Sequence, residues 1–106
     1  VRLCLWQQAE AFPNCRKGQQ VRLLSAPAAT EVHIAVTDLA PGSYAVSVIH
    51  DENDNRKLDK NFMGIPTEGV GFSRNPHMTF GPPSFDKAHF ELGAEPVQTI
   101  RMKYFL

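Results

Sequence analysis

The chain has 106 residues, of which 42% are hydrophobic and 21% are charged, and its formal net charge at pH 7 is zero. This length and composition predict one globular domain, residues 1–106, with its own core. A nucleic-acid-binding protein carries a basic surface, which the charge balance argues against, and no apolar run approaches the roughly 20 residues that span a bilayer. Since the chain opens inside a predicted strand, we expect a trimmed front end, and the lack of a leader says little.

Short β-strands are predicted along most of the chain by alternation of apolar and polar residues. They are residues 1–6, 20–24, 31–38, 43–50, 88–92 and 97–105. Between the third and fourth of them, the pair Pro41-Gly42 fits the inner positions of a tight turn and predicts a hairpin. No convincing amphipathic helix is found. About seven turn-separated strands favour an all-β fold, an antiparallel β-sandwich.

Cys4 and Cys15 are the two cysteines of the chain. A disulfide between them would pin the first strand to the Phe12-Pro13 turn, and such a pair suits an oxidising compartment. Two unrelated reduced thiols are the alternative. No CxxC spacing occurs, so a zinc site has no support.

Residues 51–85 form a long connection that is rich in proline and glycine. Connections this long are usually functional or disordered. The segment is too apolar for a solvated linker, and its apolar residues are Phe62, Met63, Ile65, Val70, Phe72, Phe80 and Phe85. We therefore expect an ordered loop that folds back over one end of the sandwich.

The start of this loop has oxygen-bearing side chains at alternate positions, a pattern that suits calcium. The candidate ligands are Asp51, Asn53, Asn55 and Asp59, with Lys57 contributing its backbone carbonyl. Arg56 stands where such loops prefer glycine, and Phe62 stands where they carry a bidentate glutamate. In the metal-free alternative the same side chains bond to their own backbone in Asx turns. Only two of the candidate ligands are carboxylates, which favours that alternative.

Other motifs of chemistry are weak. No pair of the histidines His33, His50, His77 and His89 has the close spacing of metal ligands. No GxSxG elbow is present, and Gly69-Val70-Gly71 lacks the third glycine of a dinucleotide site. No residue is singled out as catalytic by a motif.

The stretches 50–59, 61–73 and 80–85, together with the turn 39–44, resemble a bacterial family, the domain of unknown function 2141. The resemblance covers roughly residues 32 to 104. It implies a periplasmic or secreted β-sandwich similar to transthyretin-like and carboxypeptidase-regulatory-like domains, and it implies no reaction. The family typically reads Asn-Gly-Asn-Gly-Lys in the loop, whereas Asp54 and Arg56 replace the glycines here. This departure bears on the metal site more than on the fold.

Two functions fit these observations. The first is a non-catalytic binding or accessory domain of the cell envelope, with the loop 51–85 as its functional surface. Its candidate contacts to a protein or carbohydrate are His50, Glu68, Phe62, Phe72 and Phe80. The alternative for the aromatic residues is a small core under the loop. The second function is a hydrolase-like enzyme at the same loop that uses His50, Asp51 and Glu68, and it requires a cleft with titrating groups in reach of each other.

Overall fold

The computed structural model describes residues 1–7, 12–13, 21–50, 69–76 and 83–103. The elements in these ranges are the strands β1 (Arg2–Trp6), β2 (Arg22–Ser25), β3 (Ser43–Ile49), β4 (Val70–Phe72) and β5 (Phe90–Glu91), and the short helix α1 (Phe85–Ala88). The strands form a five-stranded sheet in the order β2-β1-β3-β4, with β5 paired to β3. All of these pairings are antiparallel. The all-β prediction is therefore confirmed.

A helix that crosses a membrane is long and apolar. The described part of the chain contains no helix of that length and apolarity.

The central strand of the sheet is β3. It pairs with β1 along residues 45–49 on one edge. On the other edge the Ser73 N–H donates to the Val46 carbonyl and the Leu92 N–H donates to the Gly42 carbonyl, both at 3.0 Å. Alternate residues of a strand direct their backbone groups to the same neighbour. β4 and β5 therefore follow one another along the same edge of β3.

Both faces of the sheet are covered by apolar side chains. One face, called here the Trp6 face, buries Cys4, Trp6, Ala45, Val70, Phe72 and Ala88, with Phe12 and Phe85 packed against them. The other, the Tyr44 face, buries Leu5, Tyr44, Val46, Val48 and Phe90. Val1, Leu3, Val36, Leu39, Leu92, Ile100 and Met102 pack against that second cluster. The core thus lies on both sides of β3, and the strand reads as nearly continuously buried.

The predicted hairpin between residues 31–38 and 43–50 is wrong. Residues 31–38 contain no strand, and β3 pairs with β1, β4 and β5 instead. Val32, Ile34 and Val36 are half-buried while the residues between them are exposed. The alternation in this segment therefore indicates that one side of the chain is packed against the protein. It does not indicate that the backbone pairs with another strand.

The turn at residues 39–42 leads into β3 and is closed by a side chain. The Tyr44 hydroxyl donates a hydrogen bond to the Ala40 carbonyl at 2.6 Å. Tyr44 is buried at the start of β3. The Pro41-Gly42 pair therefore makes a corner fastened by tyrosine, where the sequence predicted the tip of a hairpin.

Several other elements differ from the predicted boundaries. The predicted strands 1–6 and 20–24 are confirmed as β1 and β2, within a residue or two at their ends. The predicted loop 51–85 is interrupted by β4, and α1 begins at its last residue. The predicted strand 88–92 is reduced to β5, since Ala88 belongs to α1. In the predicted strand 97–105, the described residues make one isolated bridge, between Lys103 and Val70.

A glycine in β4 lets the C-terminal segment lie against the sheet. Residues 97–103 run beside β4, and Val70 and Lys103 exchange backbone hydrogen bonds of 2.9 and 2.7 Å. A Cβ on Gly71 would lie 2.7 Å from the Ile100 Cγ2 atom and 2.8 Å from the Met102 sulfur. These separations are shorter than real Cβ contacts, so a side chain here would force Ile100 and Met102 to shift.

We predict that Gly71→Ala destabilises the protein by about 1–3 kcal/mol, because the added methyl overpacks the contact with Ile100 and Met102. Urea unfolding followed by tryptophan fluorescence measures this change. Gly93→Ala is the matched control: a Cβ there meets nothing within 4 Å, so its stability stays within about 1 kcal/mol of the wild type. Equal stabilities of G71A and G93A would contradict the packing described for the C-terminal segment.

Candidate functional site

The candidate site is the end of the sheet where β3 finishes and β4 begins, called here the loop end. The His50 N–H donates to the Gly69 carbonyl at 2.9 Å, one position beyond the Ile49–Val70 pair of the ladder. The register therefore continues through His50 and Gly69, as in the last pair of a hairpin. His50 and Gly69, the residues on either side of 51–68, therefore lie at adjoining backbone positions.

A row of cross-strand neighbours lies directly behind this exit. Arg2 pairs with Ile49, Ile49 with Val70, and Val70 with Lys103. Residues opposite one another in a sheet share a face, so Arg2 and Lys103 flank the apolar pair on the Trp6 face. Lys103 is exposed and Arg2 is half-buried. The acidic residues of the attached segment are Asp51, Glu52, Asp54, Asp59 and Glu68. The row thus places two positive charges next to His50 and Gly69, between which a segment with five acidic and three basic residues is attached.

Buried serines hold the strands beneath the loop end. The Trp6 indole N–H donates to the Ser47 hydroxyl at 2.9 Å, with both side chains buried. The Val46 N–H donates to the Ser73 Oγ atom at 2.9 Å, and that hydroxyl donates in turn to the Ala88 carbonyl. Hydrogen-bonded polar groups in a core favour one arrangement of the chain. These bonds tie β1, β3, β4 and α1 together.

A second set of polar contacts fixes the C-terminal segment beside β4. The Asn75 side chain accepts a hydrogen bond from the Arg101 N–H and donates one to the Thr99 carbonyl, both at 2.8 Å. The Arg74 guanidinium lies 2.8 Å from a Glu95 carboxylate oxygen. Asn75 therefore supplies through its side chain the hydrogen bonds that a strand partner would supply through its backbone.

Ser47, Ser73 and Asn75 are not among the residues that the sequence predicts for the site. A serine within an apolar alternation is usually interpreted as facing solvent, and only the packing of both faces makes Ser47 an interior residue. For Asn75 a signal was present, because asparagine tolerates the left-handed backbone, and Arg74 and Asn75 have φ values of 66° and 46°.

The structure locates only part of the predicted site. His50 is half-buried at the loop end. Phe72 is 6% exposed and lies in the core of the Trp6 face, where its ring makes an edge contact with Phe12 at 6.2 Å between centroids. Its ring is therefore not available to a partner, in keeping with the core role weighed above for the aromatic residues. Cys4 is buried and does not carry a free thiol.

The remaining predicted residues lie outside the described ranges. They are the candidate metal ligands Asp51, Asn53, Asn55, Lys57 and Asp59, the surface residues Phe62, Glu68 and Phe80, and Cys15. Among the residues that are described, no group of three or more His, Cys, Asp or Glu side chains is arranged to hold a metal ion. The base of the site is formed by His50, Gly69 and the row behind them.

Fold and site together define an all-β protein in which the segment 51–68 follows the central strand of a packed sheet. Over residues 1–101 the sequence matches the family described as an uncharacterized protein conserved in bacteria, DUF2141. The chain belongs to this family, which confirms the resemblance drawn from the loop motifs. Comparisons with curated proteins and with solved structures found no match.

We predict that the sheet folds when residues 51–68 are replaced by Asn-Gly. His50 and Gly69 already face each other as a hydrogen-bonded pair, which is the closing position for a two-residue hairpin turn. The β spectrum in circular dichroism is expected to persist, with the unfolding midpoint lowered by less than about 8 °C.

A second variant carries a Gly/Ser linker of equal length in place of residues 51–68. It separates the effect of the segment's composition from the effect of its length. If both variants are unfolded, residues 51–68 contribute to the core, and the sheet does not fold without them.

Proposed function

We propose that this protein is a non-catalytic, exported binding or accessory domain of the bacterial cell envelope, with the loop 51–85 as its functional surface and the segment 51–68 as the first part of that surface. The observation that supports this most is the hydrogen bond between His50 and Gly69 at the end of a sheet packed on both faces. Both ends of the segment are anchored on buried strands. Anchoring lowers the ordering cost when a loop engages a partner, which is why recognition loops are found on rigid scaffolds.

The finer description of the fold that we propose is a two-layer β-sandwich, transthyretin-like or carboxypeptidase-regulatory-like. Residues 31–39 and 97–103 would supply the second layer, and Val36, Leu39, Ile100 and Met102 pack on the Tyr44 face in support of this. The Tyr44–Ala40 hydrogen bond also supports it, because immunoglobulin-like sandwiches fasten a corner with a tyrosine bonded to backbone a few residues upstream.

The partner in this proposal is a protein or a carbohydrate of the envelope. His50, Glu68, Phe62 and Phe80 remain the candidate contacts, since an aromatic ring offers a large apolar area at low conformational cost. Phe72 is removed from that set because it is buried. Arg2 and Lys103 at the base would favour an anionic partner or hold the acidic part of the segment.

The binding proposal predicts that the purified protein sediments with isolated cell-envelope material and that the variant with Asn-Gly in place of 51–68 does not. Phe62→Ala and Phe80→Ala should each lower the sedimented fraction several-fold. This corresponds to a loss of about 1–2 kcal/mol of binding free energy for an aromatic contact. Val97→Ala changes a side chain that is 81% exposed and far along the chain from the segment, and it should leave the fraction unchanged. Equal sedimentation of the loop-replaced variant and the wild type would refute the role given to the segment.

We also propose that the start of the segment takes calcium through Asp51, Asn53, Asn55, the Lys57 carbonyl and Asp59. The support is the alternating oxygen pattern, which suits a hard cation. An ion that binds only the folded state raises the unfolding midpoint by mass action. We therefore expect millimolar calcium to raise the midpoint of chelator-treated protein, and calorimetric titration to give a saturable heat.

Two variants make the calcium test specific. Asp59→Asn removes a candidate ligand charge and should abolish the stabilisation, whereas Glu52→Gln removes a charge between ligand positions and should retain most of it. An unchanged midpoint in millimolar calcium would leave the metal-free Asx turns as the account of this pattern.

Export to an oxidising compartment and a Cys4–Cys15 disulfide are part of the same proposal. The buried Cys4, which carries no free thiol, supports them. Alkylation without reductant should leave the mass of the native protein unchanged, while alkylation after reduction should add two alkyl groups. Modification of both cysteines without reductant would contradict the disulfide.

A hydrolase-like enzyme is the second candidate, and one observation favours it. The His50–Gly69 hydrogen bond brings together the backbone positions to which Asp51 and Glu68 are directly attached, so three titratable groups join the sheet at one end. Turnover of ester, glycoside or phosphoester substrates that is lost in both His50→Gln and Glu68→Gln would replace the binding proposal.

A further inference from the structure

At one edge of the sheet, some backbone groups have no backbone partner among the described residues. β2 is the end strand of the order β2-β1-β3-β4. Val1 and Ala26 exchange reciprocal hydrogen bonds of 2.9 and 2.6 Å, which fixes the phase of the ladder between β1 and β2. Alternate residues then face away from β1, so Leu23 and Ser25 direct their N–H and C=O groups outward. No backbone hydrogen bond among the described residues reaches these outward groups.

Leu23 and Ser25, whose backbone groups face outward, carry exposed and uncharged side chains. Leu23 is 53% exposed, the largest such value for an apolar side chain within a strand of the described sheet. Residues 23–30 carry no charged side chain and are mostly exposed, although 21% of the chain is charged. Natural sheets usually protect a free edge with charged residues or a bulge. The β2 edge has no such protection over Leu23, Leu24 and Ser25.

The opposite side of the sheet shows the usual protection. The segment 97–103 lies outside β4 and exposes Arg101 and Lys103 along its length. Pairing two copies through that segment would bring like charges close to each other, which is destabilising in a sheet. The contrast between the two sides points to the β2 edge as the one suited to a partner strand.

We propose that the β2 edge is an interaction surface for a second copy of this chain, which pairs antiparallel across a two-fold axis at Leu24. In this register Leu23 of one copy lies opposite Ser25 of the other, and the outward N–H and C=O groups of both copies are satisfied reciprocally. A self-complementary edge is what a two-fold interface requires. Charge permits the pairing as well, because residues 23–30 carry none and the net charge of the chain is zero.

The interface is short. Stable complexes bury roughly 1,200–2,000 Å² in total, and a single pair of four-residue strands provides less than this. The dimer is therefore weak and depends on concentration, with a dissociation constant on the order of 0.1–1 mM.

Sedimentation equilibrium across a range up to about 1 mM tests the proposal, since this range brackets the expected dissociation constant. The wild type is expected to shift from monomer towards dimer as concentration rises. Leu23→Lys places two like charges across the axis and should weaken the dimer at least about tenfold. Val97→Lys is the matched control, because it adds the same charge at an apolar side chain that is 81% exposed and lies outside β2, and it should dimerise as the wild type does.

Dilution of labelled wild-type protein, followed by amide chemical shifts, gives a second measurement that needs no variant. The amides of Leu23 and Ser25 should shift with concentration, while those of Thr99 and Arg101 should not. A wild type that stays monomeric at about 1 mM, or a dimer weakened equally by both lysine variants, overturns the proposal. Neither outcome bears on the segment 51–68, which these variants leave unchanged.

Discussion

β3 exchanges backbone hydrogen bonds with β1 along one edge and with β4 and β5 along the other, and it buries side chains on both faces. The rest of the structure depends on this double burial. Tyr44, Val46 and Val48 require cover on one face, while Ala45 and Ser47 are enclosed on the other. Full burial of a large apolar side chain contributes roughly 1.5–3 kcal/mol, so each of the segments that cover β3 is held there by the area it removes from water.

Covering two faces of the sheet with short segments has two requirements. The segments must approach the sheet closely, and the polar groups that become buried must find hydrogen-bond partners. Gly71 meets the first requirement, because its missing side chain admits Ile100 and Met102. Ser47 and Ser73 meet the second by bonding to Trp6, Val46 and Ala88 inside the core. An unpartnered polar group at such a position costs about 1–3 kcal/mol. The interior is consequently specific in its arrangement as well as apolar.

The same packing explains why activity is assigned to the loop end. A strand held on both faces ends at a fixed place, and the His50–Gly69 hydrogen bond returns the chain to its neighbour at that place. The segment 51–68 is therefore flanked by two residues that the sheet holds together. The row from Arg2 to Lys103 adds a positively charged base. The β2 edge lies on the far side of β1 from β3.

The amino-acid sequence by itself determined the strands that alternate most clearly, β1 and β3, and the membership in a bacterial family that its loop motifs indicated. It also located the start of the candidate site, because His50 is followed by an unbroken polar run. It could not determine the pairing of the strands. Residues 31–38 alternate as cleanly as β3 does and yet form no strand, since alternation measures one-sided burial and is silent about the backbone partner.

Only the tertiary structure decided the elements that depend on distant contacts. β4 has three residues and α1 has four, which is too few for either periodicity to be recognised. Phe72 was a candidate contact in the sequence and is a core residue in the fold, because the Trp6 face needs a large side chain opposite Phe12. Composition and alternation are local quantities, whereas strand order, register and the burial of a polar residue are set by segments far apart in the chain.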